Sequence, residues 1–315
     1  MTVALSCGEP AGIGPEVAAK AWAALRGAVP FVWIGDPRHL PPGTPWAEAE
    51  PEEAREVAAT ALPVLRLDLA HPTDPGVPDG ANAPGVVAAI ERAVALTREG
   101  RTAAVCTAPI SKAALARGGF GFPGHTEFLS HLAGGARAVM MLACDALRVV
   151  PVTIHEALAD VPRLLTAPLI EETAAIADAA LRRHWGLARP RLAVAGLNPH
   201  AGEEGRMGRE EIEVIAPALD RLRARGLDVR GPLPADTLFH EAARASYDAA
   251  LCMYHDQALI PIKALDFARG VNVTLGLPFL RTSPDHGTAF GIAGRGVADP
   301  TSMIEALRLA HRLGA

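Results

Sequence analysis

Lysine, asparagine and glutamine are scarce in this 315-residue chain: three Lys, three Asn and one Gln, against 27 Arg. A residue type used so seldom marks positions where its chemistry has no substitute. Lys112, Lys263, Asn198, Asn272 and Gln257 all fall in the motif-rich stretches described below. The shortage of amides, with abundant Ala, Pro and Arg, fits a biased genome or selection for heat tolerance. Cysteine is also rare. Cys7, Cys106, Cys144 and Cys252 form no C-x-x-C pair and lie in apolar, strand-like runs, so buried free thiols are expected rather than a disulfide framework. A cytoplasmic compartment is the matching expectation, and Met1–Leu5 carries no basic leader. No stretch of about 18 uncharged apolar residues is available to span a bilayer. No basic stripe is available to neutralise a phosphate backbone, and the formal charge is −5. Membrane and nucleic acid are therefore not expected as partners.

Half of the residues are hydrophobic, and the length suits one large or two ordinary domains with a sizeable core. Strand-like runs at 3–7, 31–34, 103–107, 191–197, 249–253 and 271–275 alternate with helical patterns at 15–25, 83–98, from 110, 168–185, 209–225 and 301–313. Residues 44–56, rich in Pro and Glu, read as a surface connection. The interleaving implies an α/β fold with a mostly parallel sheet. Only Cys144-Asp145-Ala146 separates the runs Ala138–Ala143 and Leu147–Ile154, which implies a hairpin in a second lobe. The first lobe is placed at 1–130 plus 285–315 and the second at 131–284.

Gly8-Glu9-Pro10-Ala11-Gly12-Ile13-Gly14-Pro15-Glu16 joins a strand to a helix with Pro in its first turn, an anion-ready helix start. A tight structural turn explains its glycines equally well. The dinucleotide fingerprint G-x-G-x-x-G fails, because position 17 is Val, and no Walker sequence occurs. Thr107-Ala108-Pro109-Ile110-Ser111-Lys112 also follows a strand, with Ser111 placed to cap the next helix. In Gly124-His125-Thr126-Glu127, Thr126 reads as an N-cap and His125 lies just ahead of the helix.

Three histidines each close a strand-like run: His155, His200 and His255. Ligands of open α/β sheets bind beyond the carboxyl ends of strands. Three imidazoles delivered there, with one position left open, make a catalytic divalent site. Glu156, Glu203 and Asp256 follow them closely and can fix their tautomers. No H-E-x-x-H occurs. Lys263, Asn272 and Arg281 recur at intervals of nine, with Asp285-His286-Gly287-Thr288 behind them. Two cations and an amide on loops around one strand suit a phosphate or carboxylate, and a solvated charged face is the plainer alternative. Asp236 either caps a helix beginning near Thr237 or faces a cleft.

Together, residues 8–16, 107–112, 124–127, 196–203, 254–257 and 281–289 resemble the 4-hydroxythreonine-4-phosphate dehydrogenase family of vitamin B6 biosynthesis, in order and over nearly the whole chain. The resemblance implies a two-lobed α/β/α fold of the isocitrate/isopropylmalate dehydrogenase-like type with the active site in the inter-lobe cleft. It implies an obligate homodimer whose site is shared at the subunit interface, with the metal ligands and dimer contacts in the second lobe. It implies NAD or NADP held without a Rossmann fingerprint, by residues it does not indicate, and one divalent cation (Zn, Co or Mg) per active site. The metal ligands fall on His155, His200 and His255, and the substrate contacts on His125, Thr126, Lys263, Asn272 and Arg281. Lys263 and Asp236 are the catalytic candidates, with Lys263 or an ordered water taking the proton. The implied reaction is oxidation of 4-phosphooxy-L-threonine to a β-keto acid that loses CO2 to give 3-amino-2-oxopropyl phosphate, on the way to pyridoxine 5'-phosphate. Relatives that oxidise threonate or erythronate phosphates are the nearest alternative. A metal-dependent phosphatase or hydrolase is the alternative of another class, since such a metal site can equally activate water. An acyl-phosphate transferase is an analogy of fold alone.

Overall fold

A computed structural model of the chain describes residues 1–314. It divides into two compact units: Met1–Ala138 with the return segment from Val271 onward, and Val139–Gly270.

The first unit runs β1 (Val3–Ser6), α1 (Gly14–Leu25), β2 (Phe31–Gly35), β3 (Trp46–Glu48), α2 (Ala54–Val57), β4 (Leu62–Arg66), α3 (Ala83–Arg98), β5 (Ala104–Thr107), α4 (Lys112–Arg117) and α5 (His125–Leu132). The second runs β6 (Val139–Cys144), β7 (Leu147–Pro151), α6 (Val161–Leu164), α7 (Ala167–Trp185), β8 (Arg191–Ala195), α8 (Ala216–Ala224), β9 (Asp228–Leu233), α9 (Glu241–Arg244), β10 (Ala249–Cys252) and α10 (His255–Leu265). The chain then re-enters the first unit with β11 (Val271–Leu275), β12 (Arg281–Pro284) and α11 (Thr301–Leu313).

In the first unit the strands lie in the order β3-β4-β2-β1-β5-β12-β11, parallel except for the β11/β12 pair. β1, β2 and β5 are buried along their whole length, as their unbroken apolar runs require of a sheet covered on both faces. α3 forms because Val86, Ala89, Ile90, Ala93 and Val94 recur at helical spacing, and all five are buried. Each Val or Ile buried this way contributes roughly 1.5–3 kcal/mol, so a charge at Ile90 would undo the packing. In the second unit the order is β6-β7-β10-β8-β9, with β6/β7 the expected antiparallel hairpin and the other pairs parallel. Its core gathers Leu142, Val149, Ala195, Ala250, Cys252 and Ile262. α7 starts at Thr166, whose hydroxyl accepts from Leu169 N, and ends at Gly186 in the left-handed region. Among the described residues no helix is long and apolar enough to cross a membrane.

The structure departs from the sequence reading in three places. Residues 44–56 are not only a connection: they carry β3, a short exposed strand beside β4, and the start of α2. The helix expected over 209–225 opens instead with a π-helical turn, Glu211–Ile215, before α8. The lobe boundaries also shift: 131–138 and 271–284 both belong to the first unit rather than the second, the latter because β12 pairs with both β11 and β5.

Candidate active site

In the second unit, β7, β10 and β8 are neighbouring parallel strands that end at one edge. β7 and β10 stay laced beyond their last ladder bonds. Val152 N donates to Cys252 O at 2.8 Å, and Thr153 donates to Met253 O through N at 3.2 Å and Oγ1 at 2.7 Å. Held in register, the two segments release His155 and His255 side by side, with ring centroids 5.7 Å apart and planes at 40°. His155 adopts a φ of +56°, a conformation that a side chain disfavours. His255 opens α10, and its Nδ1 lies 2.7 Å from Asp256 Oδ1. A proton on Nδ1 then leaves the Nε2 lone pair for a cation. The cleft here, about 240 Å³, is lined by Thr153, His155, Glu156, Tyr254, His255 and Asp256 among others. The two adjacent imidazoles supply nitrogen donors of the kind a divalent cation takes, with room in the cleft for further ligands from outside the chain.

His200 does not join this pair. Among the described residues, no group of three His, Cys, Asp or Glu gathers to hold a metal within the chain. Within one chain, then, His155 and His255 are neighbours and His200 stands apart from them. The physical reason is local. His155 and His255 leave segments that are laced together, whereas His200 begins a left-handed turn in which His200, Ala201, Gly202, Glu203 and Glu204 have φ values from 40° to 80°. Of the acidic neighbours, Asp256 alone bonds its histidine among the described residues.

In the first unit, register places Arg281 opposite Thr274 and Asn272 opposite Ser283, so all four share one face of the β11/β12 pair. Arg281 is 5% exposed. Its Nε and Nη2 donate to Thr107 Oγ1 at 3.2 and 2.6 Å, and Nη1 donates to Thr274 Oγ1 at 2.9 Å. Burial pulls its pKa down to about 10. Among the described residues no carboxylate pairs with it. A buried guanidinium fixed by two neutral hydroxyls is arranged to receive an anion. His125 is the first residue of α5. Burial, then the charges of Arg281 and Lys112, hold it well below the usual imidazole range. Its Nε2 is shielded and has no hydrogen-bond partner among the described residues.

Several of the remaining expected residues take different places from those inferred. Thr126 lies inside the first turn of α5 and is not its cap; Gly124 holds the cap position, with no side-chain hydrogen bond. Lys263 is in the last turn of α10 rather than a loop, with Nζ 5.5 Å from the Phe267 ring centre. Asn272 lies in the strand expected at 271–275, whereas Arg281 opens β12, a strand not expected from the sequence. Asp236 is exposed inside the short 3-10 turn Ala235–Thr237, whose cap position is Pro234, so it caps no helix; α9 starts later, capped by His240. Ser111 does cap α4, accepting from Ala114 N at 3.2 Å. The Gly8 loop is a tight turn: φ is +70°, and a Cβ there would lie 2.5 Å from Pro109 O. The roles of Thr107, Thr153 and Thr274 escape the sequence reading, because they depend on cross-strand neighbours.

This architecture is that of an α/β protein of two compact units, each with a mostly parallel sheet. Comparison with known proteins narrows it. The family described as "Pyridoxal phosphate biosynthetic protein PdxA" matches residues 28–310. The chain is 62% identical over 316 residues to the 4-hydroxythreonine-4-phosphate dehydrogenase of Roseobacter denitrificans, covering 99% of this chain and 97% of that one. The crystal structure of 4-hydroxythreonine-4-phosphate dehydrogenase from Klebsiella pneumoniae superposes with a TM-score of 0.93 at 41% identity, covering 100% and 99% of the two chains. A terephthalate 1,2-cis-dihydrodiol dehydrogenase from Burkholderia xenovorans LB400 follows at TM-score 0.69 and 32% identity, covering 99% and 98%. The chain belongs to the PdxA family. It is an oxidoreductase, and membership carries NAD(P) and a divalent metal as cofactors.

Proposed function

We propose that His155 and His255 hold the divalent cation together with His200 from a second copy, in a homodimer that shares the site. The observation that carries this reading is the imidazole pair, 5.7 Å between ring centres, with His200 left outside it. The reaction is NAD(P)-dependent oxidation of 4-phosphooxy-L-threonine followed by decarboxylation, in pyridoxine biosynthesis. When bound, the cation supplies Lewis-acid polarisation of the reacting oxygen and the nicotinamide accepts the hydride.

The chain's own residues do the rest. In the first unit the Arg281 fork fixes the phosphate, and Asn272 on the same strand face and Thr126 orient the substrate. Neutral His125 adds a hydrogen bond there without adding charge. In the second unit Lys263 Nζ takes the hydroxyl proton as the secondary alcohol loses hydride, and Asp236 assists proton movement. The resulting β-keto acid releases its carboxylate as CO2. The C–C electron pair stays on the amino-bearing carbon, which takes up a proton to give 3-amino-2-oxopropyl phosphate.

Mixing two inactive variants tests the shared site. A dimer of one His200→Ala chain and one His255→Ala chain retains one complete site only if His200 crosses between subunits. Activity regained on mixing supports the reading, and dimers that form yet stay inactive refute it. The substrate is checked by nicotinamide absorbance with 4-phosphooxy-L-threonine and with threonate phosphate; phosphate release without reduction of the cofactor would favour a hydrolase.

A further inference from the structure

Two of the rare amides, Asn198 and Gln257, enter neither the metal set nor the substrate set. Both are tied to the roots of the histidine-bearing segments. Gln257 is buried in the first turn of α10. Its Oε1 accepts from Met253 N at 2.7 Å, and its Nε2 donates to Gly196 O at 2.7 Å. The end of β10, which leads to His255, is thereby fastened to the end of β8, which leads to His200. Met253 O already receives Thr153, so Met253 and Gln257 together join all three segments.

Glu211 anchors the His200 side. It is 3% exposed, on the π-helical turn ahead of α8. Its Oε1 accepts from Leu197 N and Asn198 N, both at 2.7 Å, and its Oε2 accepts from Asn198 Nδ2 at 3.0 Å. The loop is cut to fit this carboxylate. A Cβ on Gly202 would lie 2.6 Å from Glu211 Oε2, and one on Gly196 would lie 3.0 Å from Oε1. Asn198 Nδ2 also donates to Glu210 Oε2 at 2.7 Å. The turn that starts at His200 is left-handed through four residues that are not glycine, and isolated chains do not hold such a run.

We infer that Glu211, acting with Asn198 and Gln257, is a positioning residue for metal binding: it holds the left-handed turn that presents His200, while Gln257 ties the root of that turn to the strand end that leads to His255. The inference rests on the metal reading above. None of the three side chains is asked to touch a reacting atom. Buried partners of this kind typically change metal affinity ten- to a hundredfold when removed.

The test uses the full chain, stripped by chelator and titrated with Co2+, whose visible absorption reports ligand number and geometry. Glu211→Ala should weaken Co2+ binding by about ten- to a hundredfold and alter the band. It should also speed hydrogen exchange at the Leu197 and Asn198 amides. Glu211→Gln should fall between, because one oxygen still accepts from both amides while the new NH2 faces Asn198 Nδ2. Asp220→Ala, which removes an exposed partner of Arg223 on α8, should match the wild type. If Glu211→Ala exchanges faster at those amides but binds Co2+ with wild-type affinity and spectrum, the carboxylate merely stabilises the fold and the inference is overturned. If Glu211→Ala does not fold, Glu211→Gln decides by the same criteria. A wild-type chain that takes up no Co2+ would overturn the metal reading itself, and the inference with it.

Discussion

Arg281 makes the sharpest prediction, because its burial has opposite consequences for stability and for binding. Its pKa falls from 12.5 to about 10, so the charged form carries roughly 3 kcal/mol of desolvation in the folded chain. The sign matters. A base whose folded pKa is depressed is charged in both states below pH 10, so the penalty is full throughout the working range and fades only above that. Arg281→Met removes it. The change also deprives the Thr107 and Thr274 hydroxyls of their donor, at about 1 kcal/mol each. The balance is a gain of roughly 1 kcal/mol, or about 1.5 °C in melting temperature for a chain this long. Binding should move the other way. Two charge-assisted hydrogen bonds to phosphate are worth about 1.5–3 kcal/mol each, so the KM for 4-phosphooxy-L-threonine should rise by roughly a hundredfold or more while that for NAD(P) barely changes. Thermal melts with and without inorganic phosphate, together with steady-state kinetics, measure both. A variant that melts several degrees lower without ligand, or whose two KM values rise alike, would refute the reasoning.

His125 is held neutral by burial first and neighbouring charge second, so the unfolded chain gains a proton below about pH 6.5 that the folded chain does not. The wild type should lose stability through this group as the pH falls below about 6.5, and urea midpoints for His125→Gln should show that loss removed; an unchanged acid limb would count against it. Cys7 and Cys106 are pushed up to about 12 by burial, and Cys252 higher still, leaving half-buried Cys144 as the thiol a disulfide reagent reaches first. Cys144→Ser should abolish the fast phase of labelling in the native protein; a fast phase that survives would contradict the burial. Removing the divalent cation with chelator should stop nicotinamide reduction and restoring it should recover the rate, and full turnover after stripping would end the metal reading.

Elements with strong periodicity or unbroken apolar runs are legible in the sequence, and α3, β11 and α11 are found with the expected bounds. The elements that escape lack such signals. β12 reads Arg-Thr-Ser-Pro, β9 contains Gly231-Pro232, and Pro261 interrupts the pattern of α10. Rarity pointed to Gln257 and Asn198, and both turn out to be tied into the strand ends. It could not point to Thr107, which meets Arg281 across 174 positions and is one threonine among many. Glu211 was hidden for another reason: in Arg209-Glu210-Glu211-Ile212-Glu213 a buried anchor and solvated helix charges have the same letters. Pattern identifies chemistry that is unusual in kind. It does not identify ordinary side chains made important by register.

The left-handed turn at His200 shows how closely anchor and display are coupled. His200, Ala201, Glu203 and Glu204 each occupy a region that costs about 1–2 kcal/mol for a residue with a side chain, so the run alone opposes folding by roughly 4–8 kcal/mol. A whole domain is stable by only about 5–15 kcal/mol. The three hydrogen bonds to the Glu211 carboxylate, at about 1.5–3 kcal/mol each, are of matching size. Neither feature would persist alone. Gly202→Ala, which leaves every proposed ligand and Glu211 itself in place, should therefore reproduce the Glu211→Ala phenotype. Its Cβ would lie 2.6 Å from Oε2 and force the carboxylate out of the turn. Weaker Co2+ binding together with faster exchange at Leu197 and Asn198 is the expected result, and wild-type behaviour in both would show that the turn holds its shape without the carboxylate.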